Sequence, residues 1–363
     1  MVRTVGVEEE FLLVRGGSPL LAPEGEFVVA AAEAMSHGQF EHEFKREQAE
    51  LGSAPHRRVV DLRDDLRARR RELATAAEER GVRLIASATS PLDDRNTTTT
   101  DQRYERMADT FGRVAKTQLT CGMHVHVSIE SEEEGVAVLD RIRAWTAVLI
   151  ALSANSAFVA GEDTLYASYR TLLWGQWPSA GVTDPFETVE GYHRSRQALI
   201  DTGAAIDDGM VYFDARLSAT YPTVEIRVCD VCADVDDAAV IAALARALVS
   251  TAAAEAVAGV PVPPIRSELL RVANWRAARW GAEGTLVDTR TGRLAPAWDV
   301  VSALVEHVSP ALRETGDEEL VADGLSEIRR RGSGARLQRE AFAERGIVGV
   351  VDVLVQQTAT SGP

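Results

Sequence analysis

The sequence predicts an α+β fold: an antiparallel-rich sheet covered by helices. Three observations carry this prediction. Strand-like segments do not alternate with single crossover helices, as a doubly wound parallel sheet requires. From Asp234 onward the chain reads almost entirely as helix. Three separated segments alternate apolar side chains with carboxylate, imidazole or guanidinium groups, the period-two pattern of a strand with one packed face and one open face.

The elements follow in order. Residues 5–14 alternate and form a strand, and residues 40–51 are strand-like but heavily charged. Residues 59–80 form a helix with Val60, Leu62, Leu66 and Leu73 as a broken apolar stripe. A short strand at 82–87, a polar loop at 97–100 and a strand at 119–129 come next. Residues 132–158 read as one long helix, apolar along Val136, Leu139, Ile142, Val148 and Leu152. Residues 166–185, rich in aromatics, glycine and proline, read as an irregular loop. A helix at 189–202 and strands at 211–217 and 223–229 follow. Asp234 or Asp236 is placed to cap a helix ending near Gly259, stopped by Pro261, Pro263 and Pro264. Further helices fit 267–280, 298–307, 318–331, 335–345 and 348–357. With no internal repeat, low-complexity segment or linker, a single domain over 1–363 is the simplest organisation.

At 363 residues, with 45% hydrophobic and 26% charged residues, the chain can bury a large core. Its net charge of -16, from 55 acidic and 39 basic residues, argues against nucleic acid or anionic lipid as a partner. The apolar stretch 235–262 contains Asp236, Asp237, Arg246 and Glu255, so it reads as a core helix and not as a membrane span. Three cysteines, Cys121, Cys229 and Cys232, and an N-terminus that runs straight into a strand set the expectation of a cytoplasmic protein. The Cys229-x-x-Cys232 spacing has no second pair and starts at a strand end, which favours coincidence over a redox or zinc role.

In residues 6–12 (GVEEEFL), Glu8 and Glu10 share one strand face, and Val7, Glu9 and Phe11 the other. Two carboxylates on one face repel unless a cation lies between them, and a hard divalent ion is such a cation. An exposed edge strand with acidic decoration fits this segment equally. In residues 121–129 (CGMHVHVSI), His124, His126 and Ser128 share a face opposite Met123, Val125, Val127 and Ile129. The His-x-His spacing suits a metal; satisfied structural histidines are the bland alternative. In residues 223–230 (TVEIRVCD), Glu225 and Arg227 lie together opposite Val224, Ile226 and Val228. That is either a salt bridge or a metal ligand beside a phosphate clamp. One polar-lined sheet accounts for all three segments at once. Glu43 and Glu50 are further carboxylate candidates, with Glu47 competing; seven residues apart, Glu43 and Glu50 reach one face only across a bulge or turn. No Walker A loop, Rossmann fingerprint or Gly-x-Ser-x-Gly elbow is present.

These motifs, residues 5–13 (VGVEEEFLL), 121–128 (CGMHVHVS) and 223–230 (TVEIRVCD), resemble the signature strands of the type 2 glutamate–cysteine ligase, or carboxylate–amine ligase, family. The resemblance extends through 168–178 (SYRTLLWGQWP) and 274–281 (NWRAARWG). It departs at residues 86–91 (ASATSP), where Ala88 and Ser90 replace the glycine and histidine of a Gly-Thr-His-Pro run. The resemblance implies a glutamine-synthetase-like fold: a curved, mostly antiparallel sheet with helices behind it. The implied activity joins the γ-carboxylate of glutamate to the amine of cysteine, or of another amino acid or amine, through an acyl phosphate, with ATP and two or three Mg²⁺ ions. By motif, Glu8, Glu10, Glu43, Glu50, His124 and Glu225 match metal ligands. Arg227 matches a phosphate-facing arginine, and His126 contacts nucleotide or metal. Arg170 is the candidate for a substrate carboxylate, with Trp174 and Trp177 as pocket walls; Arg276 and Arg279 read as helix-surface residues. The partners are small molecules, with a homodimer as the expected assembly. Two rivals stand beside this reading. A metal-dependent amidohydrolase would use His124-x-His126, but only His193 and His307 follow. A non-catalytic nucleotide-binding protein would bind without turnover.

Overall fold

The computed structural model describes residues 2–16, 20–36, 38–93 and 95–360. Its strands are β1 (Val5–Arg15), β2 (Gln39–His42), β3 (Gln48–Gly52), β4 (Val82–Ile85), β5 (Gly122–Ser128), β6 (Phe158–Val159), β7 (Glu162–Asp163), β8 (Ala215–Leu217), β9 (Thr223–Asp230), β10 (Thr285–Asp288) and β11 (Arg293–Pro296). Its helices are α1 (Gly25–Met35), α2 (Val59–Glu79), α3 (Gln102–Phe111), α4 (Arg113–Thr117), α5 (Glu132–Ile142), α6 (Thr146–Ser153), α7 (Tyr169–Trp174), α8 (Val189–Asp201), α9 (Val235–Val257), α10 (Ser267–Trp280), α11 (Ala297–Thr315), α12 (Glu318–Arg331) and α13 (Gly334–Thr360).

The main sheet runs β2-β3-β1-β5-β9-β8, with β4 also paired to β1, and every pairing is antiparallel. This is the α+β architecture that the sequence predicts. The register is what places the chemistry. Glu10 lies opposite Glu50 across β1–β3, Glu8 opposite His124 across β1–β5, and His126 opposite Glu225 across β5–β9. Directly opposed side chains in an antiparallel pair lie close enough to interact, so the ladder alone brings these groups together.

The other face of the sheet is packed. Val7, Phe11, Met123, Val125, Ile226 and their neighbours are buried against α2, α6 and α9. The helix α9 is long and apolar enough to cross a membrane, but two thirds of its most apolar stretch is buried, among α2, α5, α11 and α12. It is a core helix. Asp234, of the two candidates, caps it by accepting the amide of Asp236. Gly259, with φ near +69°, follows its end in the left-handed conformation before the prolines. A satellite apolar cluster of Phe44, Met107, Trp177, Met210 and Tyr212 lies outside the main core, built from α3, α4 and the loops around them.

Four expectations are corrected. The helix expected over 132–158 is broken between α5 and α6. Arg143 turns inward to donate to the carbonyls of Thr183 and Ile265, and the Ala144 carbonyl accepts the Thr289 hydroxyl at 3.0 Å instead of a helical amide. The loop expected over 166–185 contains α7. The chain after Asp234 includes the β10–β11 hairpin, and α11 runs through Pro310 to the left-handed Gly316. No helix is expected over α1, α3 or α4, although α3 carries a helical spacing in Tyr104, Met107, Ala108 and Phe111 behind its Asp101 cap.

Candidate active site

The polar face of the sheet lines a cleft of about 320 Å³ that contains Glu8, Glu10, Glu43, Glu50, His124, His126, Glu225 and Arg227, with Trp174 on its wall. Eight residues expected from four separate strand-like segments thus meet in one cavity. The turn between β2 and β3 resolves the Glu43–Glu50 spacing, since it folds both carboxylates to the same side. Glu47 is excluded from the group: it is buried, and its carboxylate accepts the amide of Thr97 at 2.9 Å.

Two triads emerge. In Glu10–Glu43–Glu50 and in Glu8–His126–Glu225, the candidate ligand atoms all lie within 4.8 Å of one another. His124 sits between them, its Nδ1 3.3 Å from Glu8 and its Nε2 3.7 Å from Glu10. The geometry therefore places His126, more than His124, inside a triad.

The electrostatics of the triads differ. Burial raises Glu10 to about 7, helped by the neighbouring charge of Glu43. Burial and the Glu43 carboxylate push Glu50 well above the usual range. No lysine or arginine among the described residues forms an ion pair with this triad, and the Gly122 amide, 2.6 Å from Glu10, is a partial compensation. Glu8 and Glu225 behave oppositely. Burial opposes their charge, but the two imidazoles at Glu8 hold it below the ordinary range. Arg227 and Arg216 do the same for Glu225. Burial and the Arg227 charge drop His124 to about 4, leaving a neutral imidazole, the form that binds metals.

This donor set fits divalent cations. The buried Nε2 atoms of both His124 and His126 lack a well-formed hydrogen bond. The carboxylate triad has hard oxygens and needs positive charge, as Mg²⁺-type sites do. Opposite them, Arg227 is buried, bonded to Glu225 and within 5.8 Å of the rings of Trp174 and Tyr212.

Arg170 is placed elsewhere. Its guanidinium donates to the carbonyls of Arg227 and Val228 and lines a neighbouring cavity. Trp177 is buried in the satellite cluster as well as on the cleft wall. Arg276 stacks on Trp280, and Arg279 bonds the Leu165 carbonyl, so neither enters the cleft. The cysteines are free and buried, and neither Cys229 nor Cys232 belongs to a metal-competent group among the described residues. Sequence reasoning missed Arg216, which holds Glu225 at 2.7 Å, and the wall residues Tyr104 and Tyr212. The cross-strand register Arg216↔Glu225 would have found Arg216, but no local pattern announces a register.

A main antiparallel sheet with metal-competent carboxylates on its open face and an arginine beside them is the arrangement that the resemblance to glutamine-synthetase-like ligases implies, and the solved structures agree on the fold. The structure of a glutamate–cysteine ligase from Francisella tularensis in complex with AMP superposes with a TM-score of 0.68 at 12% identity, over 99% of this chain and 89% of that one. The ligase PafA, in its complex with the ubiquitin-like protein Pup, gives 0.52 at 14% identity, over 98% and 72%. At such identities the likeness concerns the fold.

Residues 4–356 match the model of glutamate–cysteine ligase family 2, and the chain belongs to that family. A Frankia alni protein provisionally named glutamate–cysteine ligase 2-2 is 49% identical over 99% of this chain and 98% of its own. A provisionally named glutamate–cysteine ligase 2 of Streptomyces coelicolor is 46% identical over 95% and 96%. The protein is an ATP-dependent carboxylate–amine ligase by family, which sets aside the hydrolase reading of His124-x-His126.

Proposed function

We propose that the chain joins the γ-carboxylate of glutamate to the amine of cysteine or a closely related amino acid, and that the two triads hold its Mg²⁺ ions. The observation that carries the reading is the convergence of both triads and Arg227 on one cleft. Two triads suit two ions, within the two or three that the family resemblance implies. When bound, the ions neutralise ATP phosphate charge and polarise the transferring group.

The chain's own residues then have distinct tasks. Glu10, Glu43 and Glu50 supply an all-oxygen cradle. Glu8, His126 and Glu225 supply a mixed one, with Glu8 and Glu225 already ionised by their imidazole and guanidinium neighbours. His124, kept neutral, bridges the two. Arg227 meets the negative charge of the transferring phosphoryl group, and its bond to Glu225 fixes its direction. A carboxylate oxygen attacks the γ-phosphorus and ADP departs, leaving an acyl phosphate. The amine nitrogen then forms the amide as the carbon–oxygen bond to phosphate breaks and the nitrogen loses a proton. No side-chain nucleophile is required, in keeping with the buried, unreactive cysteines. Those reduced thiols also agree with a cytoplasmic setting.

The test is ADP release measured with glutamate, cysteine and Mg²⁺, each omitted in turn. The expected result is release that needs all three. ADP formed at an unchanged rate without the amine or without the acid would sink the reading.

A further inference from the structure

Trp174 is common to two cavities. One is the acidic cleft, where the Arg227 guanidinium lies 5.8 Å from its ring centroid. The other is a chamber of about 650 Å³ that includes Arg170, whose guanidinium lies 5.3 Å from the same centroid. One indole therefore separates the chamber from the groups assigned to phosphoryl transfer.

The chamber has charges of both signs that form no ion pair with each other. Asp214 is held on its wall: Oδ2 accepts from Asn274 Nδ2 at 2.6 Å, and Asn274 Oδ1 accepts in turn from the Thr146 hydroxyl at 3.3 Å. The Thr146 hydroxyl is shared with the Arg143 carbonyl at 3.2 Å, and the short bond from Asn274 Nδ2 orients the carboxylate. Its other oxygen takes no hydrogen bond, and Asp214 forms no ion pair, among the described residues. Arg271, exposed on the same wall, likewise forms no ion pair among the described residues; Glu268 beside it is within reach of its charge but is bonded to Arg266. Arg170 is 2% exposed, and its Nε has no partner although both Nη atoms do. Trp174 and Trp275 give apolar walls. A carboxylate and an arginine that each lack an ion-pair partner among the described residues, in a volume suited to a small molecule, match a ligand that carries both charges.

We propose that this chamber docks the amine-bearing substrate as an α-amino acid, its ammonium facing Asp214 and its carboxylate facing Arg271, with Trp174 as the partition from the cleft. The proposal rests on the ligase reading and names where its second substrate enters. Arg170 then serves the carboxylate end as a buried reinforcement. That is a different place from the acidic cleft, although the same type of partner expected for Arg170 from the sequence.

The experiment is calorimetric titration of the full chain with L-alanine and with ethylamine, which lacks the carboxylate. Asp214→Asn should weaken both about ten-fold, whereas Arg271→Gln should weaken alanine about ten-fold and leave ethylamine unchanged. Glu10→Gln, in the cleft, should change neither. In steady state the two chamber variants should raise KM for the amine about ten-fold and leave KM for ATP and for the acid unchanged. Absence of binding by both probes, equal binding in the chamber variants, or loss of binding in Glu10→Gln would overturn the proposal. Failure of the ligase reading is separate: it shows as wild-type protein that binds alanine in the chamber yet releases no ADP with any acid and amine.

Discussion

Glu9 and Glu10 are adjacent on β1 and both buried, yet they face opposite sides of the sheet and meet opposite fates. Glu9 points into the helical layer, where Arg70 of α2 clasps it through two bonds of 2.8 and 2.5 Å. The guanidinium is itself anchored to the carbonyls of Cys232 and Ala233. Glu10 points into the cleft and meets Glu43 and Glu50, with no arginine of its own. The packed face supplies its own cation; the open face supplies no arginine or lysine to its triad among the described residues. A buried carboxylate is costly without a partner. The difference therefore separates a structural glutamate from one that, on the proposed reading, is completed by an ion brought from outside.

The strongest test of this contrast is Glu10→Gln. Ligation should fall about 10²–10³-fold, roughly 3–4 kcal/mol of transition-state stabilisation, while the protein melts no lower than wild type. Coupled ADP release and a melting curve check both halves; full activity would break the contrast. Arg70→Met strands Glu9 without its cation and should cost about 3–5 kcal/mol of folding stability, read by denaturant titration. At temperatures where this variant is folded, its Mg²⁺ affinity should match wild type. Saturating Mg²⁺ should stabilise the wild type, by about 2.7 kcal/mol at a hundred times the dissociation constant, and chelation should remove the gain. Glu50→Gln should lose most of that increment, whereas a charge-neutral change confined to the packed face should not.

Asp214 supplies the smallest and finest test, because it is intermediate: held by one amide and influenced by Arg170, but ion-paired with neither. Burial raises its pKa from 3.8 to about 6. A carboxyl that holds its proton more tightly when folded favours folding fully below pH 3.8, and that contribution is lost as the pH rises through about 6. Asp214→Asn should therefore flatten stability over this window, by about 1 kcal/mol, in denaturant titrations at pH 5 and pH 7. An unchanged slope would show that the wall carboxylate is already compensated.

Much of the site is legible from strand periodicity. Glu8 and Glu10 alternate with Glu9, His124 and His126 with Val125, and Glu225 and Arg227 with Ile226, so each pattern assigns a face without knowledge of its neighbours. The helices 267–280 and 318–331 were equally readable, since their apolar spacing and the glycines that end them, Gly281 and Gly332, are local. The break between α5 and α6 was not, because it depends on the carbonyls of Thr183 and Ile265, 40 residues away in one case and 122 in the other. The satellite cluster behind Trp177 was hidden for the same reason: its members come from segments far apart in the chain, even though Tyr104, Met107 and Phe111 are helically spaced in α3.

By itself the sequence determined which side chains share a strand face, and with them the kind of chemistry the sheet can host. Only the tertiary structure decided the register that sets Glu10 against Glu50 and His126 against Glu225, and so divides one acidic face into two triads. It also decided that Arg70 reaches Glu9, that Arg216 reaches Glu225, and that Arg170 opens onto a second chamber. The physical reason is one of range. Alternation follows from backbone geometry within a few residues, whereas the partner of a buried charge is chosen by packing between segments far apart in the chain.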